Sequence, residues 1–251
     1  MDLNLDGKKV LVTGSTRGIG LQIAKQFSFE GSRVALNGRN VVPLEAADAV
    51  SGSVSVVGDA SNESGAKKII EESVKKLGGL DIVICNVGSG RSVKPGQENV
   101  QEWKSAFDIN FYSTTCIVEA AKTHLKSSAG VVICISSICG NEVIPGAPVT
   151  YSVAKAALNA YIKCISRPLA DDGIRICGIS PGNILFDGSV WDSKMQENPS
   201  AVSAMLVKDV PLKKMGTPSD VANLALFLAS PISENITGTI WTSDGGQTRS
   251  I

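Results

Sequence analysis

The 251-residue chain has no surplus of either charge: 24 basic and 24 acidic side chains cancel, and the sequence pI is about 6.6. That balance leaves no electrostatic footprint for nucleic acid or an anionic membrane. No apolar run approaches the ~20 residues a spanning helix needs, and no charged-then-apolar leader opens the chain. These absences predict a cytoplasmic protein without nucleic-acid or membrane partners. Histidine is nearly missing, and His124 has no companion for a metal site. The six cysteines (Cys85, Cys116, Cys134, Cys139, Cys164 and Cys177) include no C-x-x-C pair and sit mostly in apolar patterns. Structural thiols in a reducing compartment are the better reading. Cys139, two residues after Ser137, is read as a packing residue, with a place in a cavity wall as the alternative.

What the chain does have is a regular alternation of strand-like and helical runs with no linker between them. Strands are expected near Lys9–Thr13, Arg33–Asn37, Val54–Val57, Asp81–Asn86, Val131–Ser136, Arg175–Ser180 and Thr239–Thr242. Helical patterns fall near Gly18–Phe29, Val41–Val50, Gly65–Leu77, Val100–Leu125, Tyr151–Ala170 and Pro218–Leu228. Such alternation predicts an α/β fold, a doubly wound parallel sheet with helices on both faces, and the length suits one domain over residues 1–251. Only residues 183–214 break the rhythm. They carry Trp191, Met195, Met205 and Leu206 among polar residues, which suits a small lid over a substrate better than a core element.

Within that frame, Gly14-Ser15-Thr16-Arg17-Gly18-Ile19-Gly20 follows the first strand and opens the first helix. Backbone amides at such a turn can cradle a pyrophosphate, and glycine permits its close approach. Asp59 follows the third strand, where it can bond to an adenine amino group or cap the next helix. Tyr151 and Lys155 stand four residues apart on one helix face. Either they are an ordinary buried Tyr and surface Lys, or the ammonium pulls the phenol's pKa down toward neutral pH and makes a usable proton donor.

Taken together these residues resemble the short-chain dehydrogenase/reductase family, in particular its compact enzymes similar to 3-oxoacyl-carrier-protein reductase. Thr13-Gly14-x-x-x-Gly18-x-Gly20 matches the cofactor motif, Asp59 with Ala60 the adenine contact, and Cys85-Asn86-Val87-Gly88 the N-N-A-G motif. Asn110, Ser137, Tyr151 and Lys155 match the catalytic tetrad, Pro181-Gly182 the segment beside the nicotinamide, and Asp244-Gly245-Gly246 the C-terminal signature. The resemblance implies a Rossmann fold, a small carbonyl or alcohol substrate, and a homotetramer or homodimer built on the helices near 100–125 and 151–170. It implies hydride transfer with Tyr151 as general acid/base, and with Lys155 lowering the Tyr151 pKa and holding the nicotinamide ribose. Ser137 would bond the substrate oxygen, and Asn110 would anchor a water leading from Lys155 to solvent.

Charge at the end of the second strand bears on the cofactor. Gly38 stands where NAD-preferring relatives carry an acid, and Arg39 and Arg17 are either solvated surface groups or a clamp for a ribose phosphate. The pair points to NADP, with NADPH preferred over NADH. The chain departs from the family pattern at three places. Cys85 replaces the first Asn of N-N-A-G, leaving Asn86 to steady the sheet near Thr13. One extra residue between Ser137 and Tyr151 leaves Ser136 as an alternative to Ser137, although Ser137-Ile138-Cys139-Gly140 fits S-x-x-G. Phe186 stands where relatives often place a Thr against the nicotinamide carboxamide, which shifts that duty to the backbone of Ile184 or to Ser189. A catalytically silent cofactor-binding sensor or scaffold is the main alternative. A sugar-nucleotide epimerase is another, disfavoured by the glycine spacing and by the little room for an extra substrate region.

Overall fold

A computed structural model describes residues 2–250. Seven strands, β1 (Lys9–Val12), β2 (Arg33–Gly38), β3 (Val54–Val57), β4 (Ile82–Cys85), β5 (Val131–Ile135), β6 (Arg175–Pro181) and β7 (Ile240–Ser243), form one sheet. Every neighbouring pair is parallel, in the order β3-β2-β1-β4-β5-β6-β7. The order reverses between β1 and β4, so the turns leaving these two strands diverge and open a crevice at the carboxyl edge. This is the Rossmann arrangement that the alternating runs predict.

Period-two side-chain alternation splits the core into two layers. Val10 and Val12 of β1, Ile82 and Ile84 of β4, and Ile133 of β5 bury into one layer. Leu11, Val83, Cys85, Val132 and Cys134 bury into the other. The first layer is covered by α1 (Gly18–Phe29) and α9 (Pro218–Ala229). The second is covered by α3 (Glu63–Leu77), α5 (Ser113–Ser128) and α6 (Val149–Asp171). Local chemistry sets several ends: Asn62 caps α3 by accepting from Gly65 N at 2.8 Å, and Gly78 closes it at φ 77. Thr217 and Asp220 form a reciprocal capping box at the start of α9.

Three elements differ from the expectations. The second helix is only α2 (Leu44–Asp48), because Pro43 fixes its entry and the flanking valines stay outside. The single helix expected over Val100–Leu125 is α4 (Val100–Phe107), a π-turn (Asp108–Tyr112), then α5. Asn110 explains the interruption: its Nδ2 donates to Ala106 O at 3.0 Å and so competes for a carbonyl of the regular ladder. Residues 183–214 contain two helices of their own, α7 (Val190–Glu197) and α8 (Pro199–Asp209). Among the described residues no helix is long and apolar enough to cross a membrane.

Candidate active site

The glycine turn after β1 is shaped by contacts that exclude side chains. Gly14 and Gly18 have φ of 60° and 57°, the left-handed region that glycine adopts without strain. A Cβ on Gly20 would stand 2.4 Å from Asn86 Nδ2 and 2.5 Å from Gly14 O. Ser15 is turned into the protein, where its Oγ accepts from Asn37 N at 2.9 Å, tying the turn to β2. Arg17, at the start of α1, makes no side-chain cap, and no acid lies in the first helical turn. That helix end is therefore open to an anion, as a cofactor pyrophosphate requires. From β4, Asn86 Nδ2 donates to Thr13 O at 3.1 Å and Gly14 O at 2.9 Å, holding the two diverging turns together despite Cys85.

From this turn a cleft of about 590 Å³ runs to the segment after β5 and under the lid. Ser137, Tyr151 and Lys155 meet in its wall. Ser137 lies close enough to the Tyr151 hydroxyl to pull its pKa down, while its own Oγ accepts from Cys139 N at 3.2 Å. Ser136, the other candidate, also lines the cleft, but its hydroxyl bonds to Asn159, part of a network with Asn141 and Ser180. Lys155 is 3 % exposed, donates from Nζ to Ile135 O at 2.8 Å, and lies 5.9 Å from the centroid of the Tyr151 ring. Gly88 makes room for it, since a Cβ there would stand 3.2 Å from Lys155 Nζ and 3.1 Å from Asn110 Oδ1.

The titration behaviour corrects the expectation that Lys155 pulls Tyr151 down. Burial dominates both groups: it pushes the phenol well above its ordinary value, against the smaller downward pull of Ser137. It also depresses the Lys155 ammonium to about 8. Each group is thus biased toward its neutral form. Asn110 is tied into the protein at both ends of its amide. Its Oδ1 accepts from Ser89 N at 2.9 Å, and its Nδ2 donates to Ser89 O at 3.2 Å as well as to Ala106 O. The side chain thereby fastens the turn after β4, with one lone pair of Oδ1 still free to accept.

The other predicted residues divide between the cleft and its supports. Gly14, Arg17, Ile19, Asn86 and Gly88 line it on the glycine-turn side, and Pro181, Gly182 and Ile184 on the side of β6. Thr16 packs toward Gly38, where a Cβ would stand 2.8 Å from its methyl group, so a side chain at 38 would crowd it. Ala60 is buried in the core, leaving only its backbone for a ligand. The Asp59 carboxylate is held below its usual range, first by the Ser61 amide and hydroxyl and more weakly by the Arg39 charge. Arg17 reaches the other way: its Nη1 would lie 3.2 Å from a Cβ on Gly188, in the lid. The two arginines therefore work at different places along the crevice.

Phe186 has a place that its sequence position does not suggest. Its ring lies over the glycine turn, with Cε2 2.4 Å from where a Gly18 Cβ would be. Ser189, offered above as a substitute cofactor contact, is occupied as the cap of α7, accepting from Asp192 N at 3.0 Å. Backbone bonds from Leu185 N to Gly216 O and from Gly216 N to Asn183 O anchor the lid beside Ile184. Cys139 lies in the cleft wall rather than in the packed core, its thiol raised mainly by burial. The cleft is lined further by Glu142, Trp191, Lys194, Met205, Gln247 and Arg249. No motif or spacing marks these six, because chain segments remote in sequence bring them together.

Residues 14–248 match the family model described as enoyl-(acyl carrier protein) reductase. The chain is 34% identical over 251 residues to isoepoxydon dehydrogenase patN of Penicillium expansum, covering 96% of this chain and 95% of that one. It is 33% identical to the 3-oxoacyl-[acyl-carrier-protein] reductase FabG of Chlamydia pneumoniae, over 99% of this chain and all of the relative. Among solved structures, L-sorbose reductase from Gluconobacter frateurii, complexed with NADPH and L-sorbose, superposes with a TM-score of 0.93 at 26% identity over the full length of both chains.

Proposed function

The chain belongs to the short-chain dehydrogenase/reductase family, and from that membership we propose that it is an NADP(H)-dependent oxidoreductase acting on a small carbonyl compound or secondary alcohol. The observation that carries this reading is the meeting of Tyr151, Ser137 and Lys155 in one cleft that runs to the glycine turn. The bare glycines and the uncapped start of α1 fit a dinucleotide pyrophosphate. NADPH, when bound, supplies the hydride. Tyr151 gives its proton to the carbonyl oxygen in reduction and removes it in oxidation. Ser137 bonds the same oxygen as negative charge develops there. Lys155 would hold the nicotinamide ribose and places a cation 5.9 Å from the Tyr151 ring centroid, a charge that opposes, without outweighing, the upward push of burial on the phenol. Asn110 positions the Ser89 turn against which Lys155 lies.

One dinucleotide-binding and catalytic domain spanning residues 1–251 carries all these groups in this reading. Arg39 and Gly38 support a preference for the phosphorylated cofactor, as do relatives such as the sorbose reductase bound to NADPH. Six free cysteines fit a cytoplasmic location. Partly exposed Tyr112, Val149 and Val153 on α5's approach and α6 support self-association into a homodimer or homotetramer. Following nicotinamide absorbance over a panel of ketones and alcohols tests the reaction, and no turnover of any would count against it. Titration with both cofactors tests the preference: NADPH should bind more tightly than NADH, and Arg39→Ala should weaken NADPH alone by about tenfold to a hundredfold. Equal or tighter NADH binding by the wild type would overturn it.

A further inference from the structure

The substrate end of the cleft holds two cations that the proposed reaction does not use. Lys194, on α7, lies with its Nζ 4.3 Å from the centroid of the Trp191 ring, an arrangement that fixes a flexible side chain at the cleft wall. Lys194 lines the same cleft as Cys139, Ser137 and Tyr151. Arg249 comes from the C-terminal segment. That segment is drawn across the cleft by Glu142, whose Oε2 accepts from Arg249 N at 2.9 Å and Ser250 N at 3.0 Å. Asn183 Nδ2 adds a 2.8 Å bond to Gln247 Oε1. Neither Lys194 nor Arg249 is in an ion pair among the described residues. Of the two acids in the lining, Glu142 is taken up by backbone amides, whereas Asp209, the last residue of α8, stands in the lining without an ion pair among the described residues. The cleft that these cations line together with Tyr151 also carries the apolar side chains of Ile144, Pro145, Trp191 and Met205.

We propose that the preferred substrates are carbonyl compounds whose reacting carbon is joined through an apolar stretch to an anionic group, and that Lys194 and Arg249 receive that anion. The idea rests on the oxidoreductase reading and adds to it a substrate class and two specificity-determining residues. An apolar wall gains from burying the middle of such a molecule, while an anion at its end finds charged donors. Glu142 acts as a positioning residue, because holding the amides of residues 249 and 250 fixes where Arg249 can reach.

The test pairs oxo-carboxylates of increasing length, from acetoacetate through 5-oxohexanoate, with their methyl esters. A second pair, dihydroxyacetone phosphate and dihydroxyacetone, distinguishes a phosphate ester from a carboxylate. Affinities are measured by calorimetry with and without NADP⁺, conditions in which the ketones are not reduced, and turnover is measured separately with NADPH. At least one anionic member should bind about tenfold more tightly than its neutral partner, an advantage that shrinks on raising the salt from about 20 mM to about 0.5 M. Lys194→Ala and Arg249→Ala should each cut the ratio at least about threefold, Glu142→Ala, which removes the acceptor of both amides, should follow Arg249→Ala, and Lys194→Arg should keep most of it. Neutral members binding as tightly as anionic ones, or ratios that neither alanine variant changes, would overturn the proposal. Selective anion binding without reduction of any compound would instead overturn the reductase reading and the substrate claim with it, leaving only an anion site at Lys194 and Arg249. Reduction of neutral ketones with no preference for charge would overturn the substrate claim and leave the reductase reading standing.

Discussion

Lys155 is buried and Tyr151 half-buried in the cleft wall, and burial drives a phenol up and an ammonium down. The phenol therefore holds its proton tightly until charge is placed beside it. Tyr151→Phe keeps the ring and its packing but removes the group that exchanges a proton. Turnover should fall by about 10²–10⁴-fold while NADPH affinity changes little, as side-by-side kinetics and fluorescence titration would show. Near wild-type turnover would rule out the mechanism. For Lys155, the folded pKa of about 8 lies below the unfolded value near 10.5, so between these pH values the unfolded chain binds the extra proton. The Lys155 contribution to stability therefore rises as pH climbs from 8 to 10.5, and below 8 its full penalty is present. Relative to wild type, Lys155→Met should be most stable near pH 7 and lose up to about 3 kcal/mol of that relative stability by pH 10.5. Urea unfolding at stepped pH measures the difference, and a difference independent of pH would contradict the assignment.

Among the elements, the glycine turn and the lid depend on each other. Gly18 has positive φ, and the space its side chain would fill is taken by the Phe186 ring. Gly18→Ala should cost about 1–3 kcal/mol from strained backbone together with the clash. Phe186→Ala in the same chain removes the clash but not the strain, so it should recover part of that cost. A double-mutant cycle by chemical denaturation reads the coupling, and strictly additive effects would show that the ring does not press on the turn. The π-turn is a similar case of one residue acting on an element. Asn110 trades a regular ladder for three bonds that hold Ser89 and Ala106, and the kink sets the wall beside Lys155.

For the whole molecule, α5 and α6 bury one face in the second core layer and leave Val149, Val153 and the nearby Tyr112 38–46 % exposed. Covering this face with a second copy would remove apolar surface from water, worth about 25 cal/mol per Å² before the costs of association. Light scattering at micromolar concentration should therefore find a dimer or tetramer. Val153→Glu should shift the population toward monomer, because a charge at the centre of an apolar contact is costly to bury. A wild type that remains monomeric and active would refute the assembly.

The sequence determined whatever follows from short-range pattern. Apolar runs of strand length alternating with helical periods fixed the parallel sheet, because each run must bury both faces. Glycine spacing after the first strand fixed the turn, and the four-residue interval placed Tyr151 and Lys155 on one face, since a helix repeats every 3.6 residues. Tertiary structure decided what depends on groups that meet from distant segments. It chose Ser137 over Ser136 by giving Ser136 to Asn159. It reversed the expected direction of the Tyr151 shift by desolvating the pair, and laid Phe186 on Gly18. It also drew the C-terminal segment onto Glu142, 107 residues away in the chain. Desolvation and contact are properties of packed surroundings, and no local spacing encodes them.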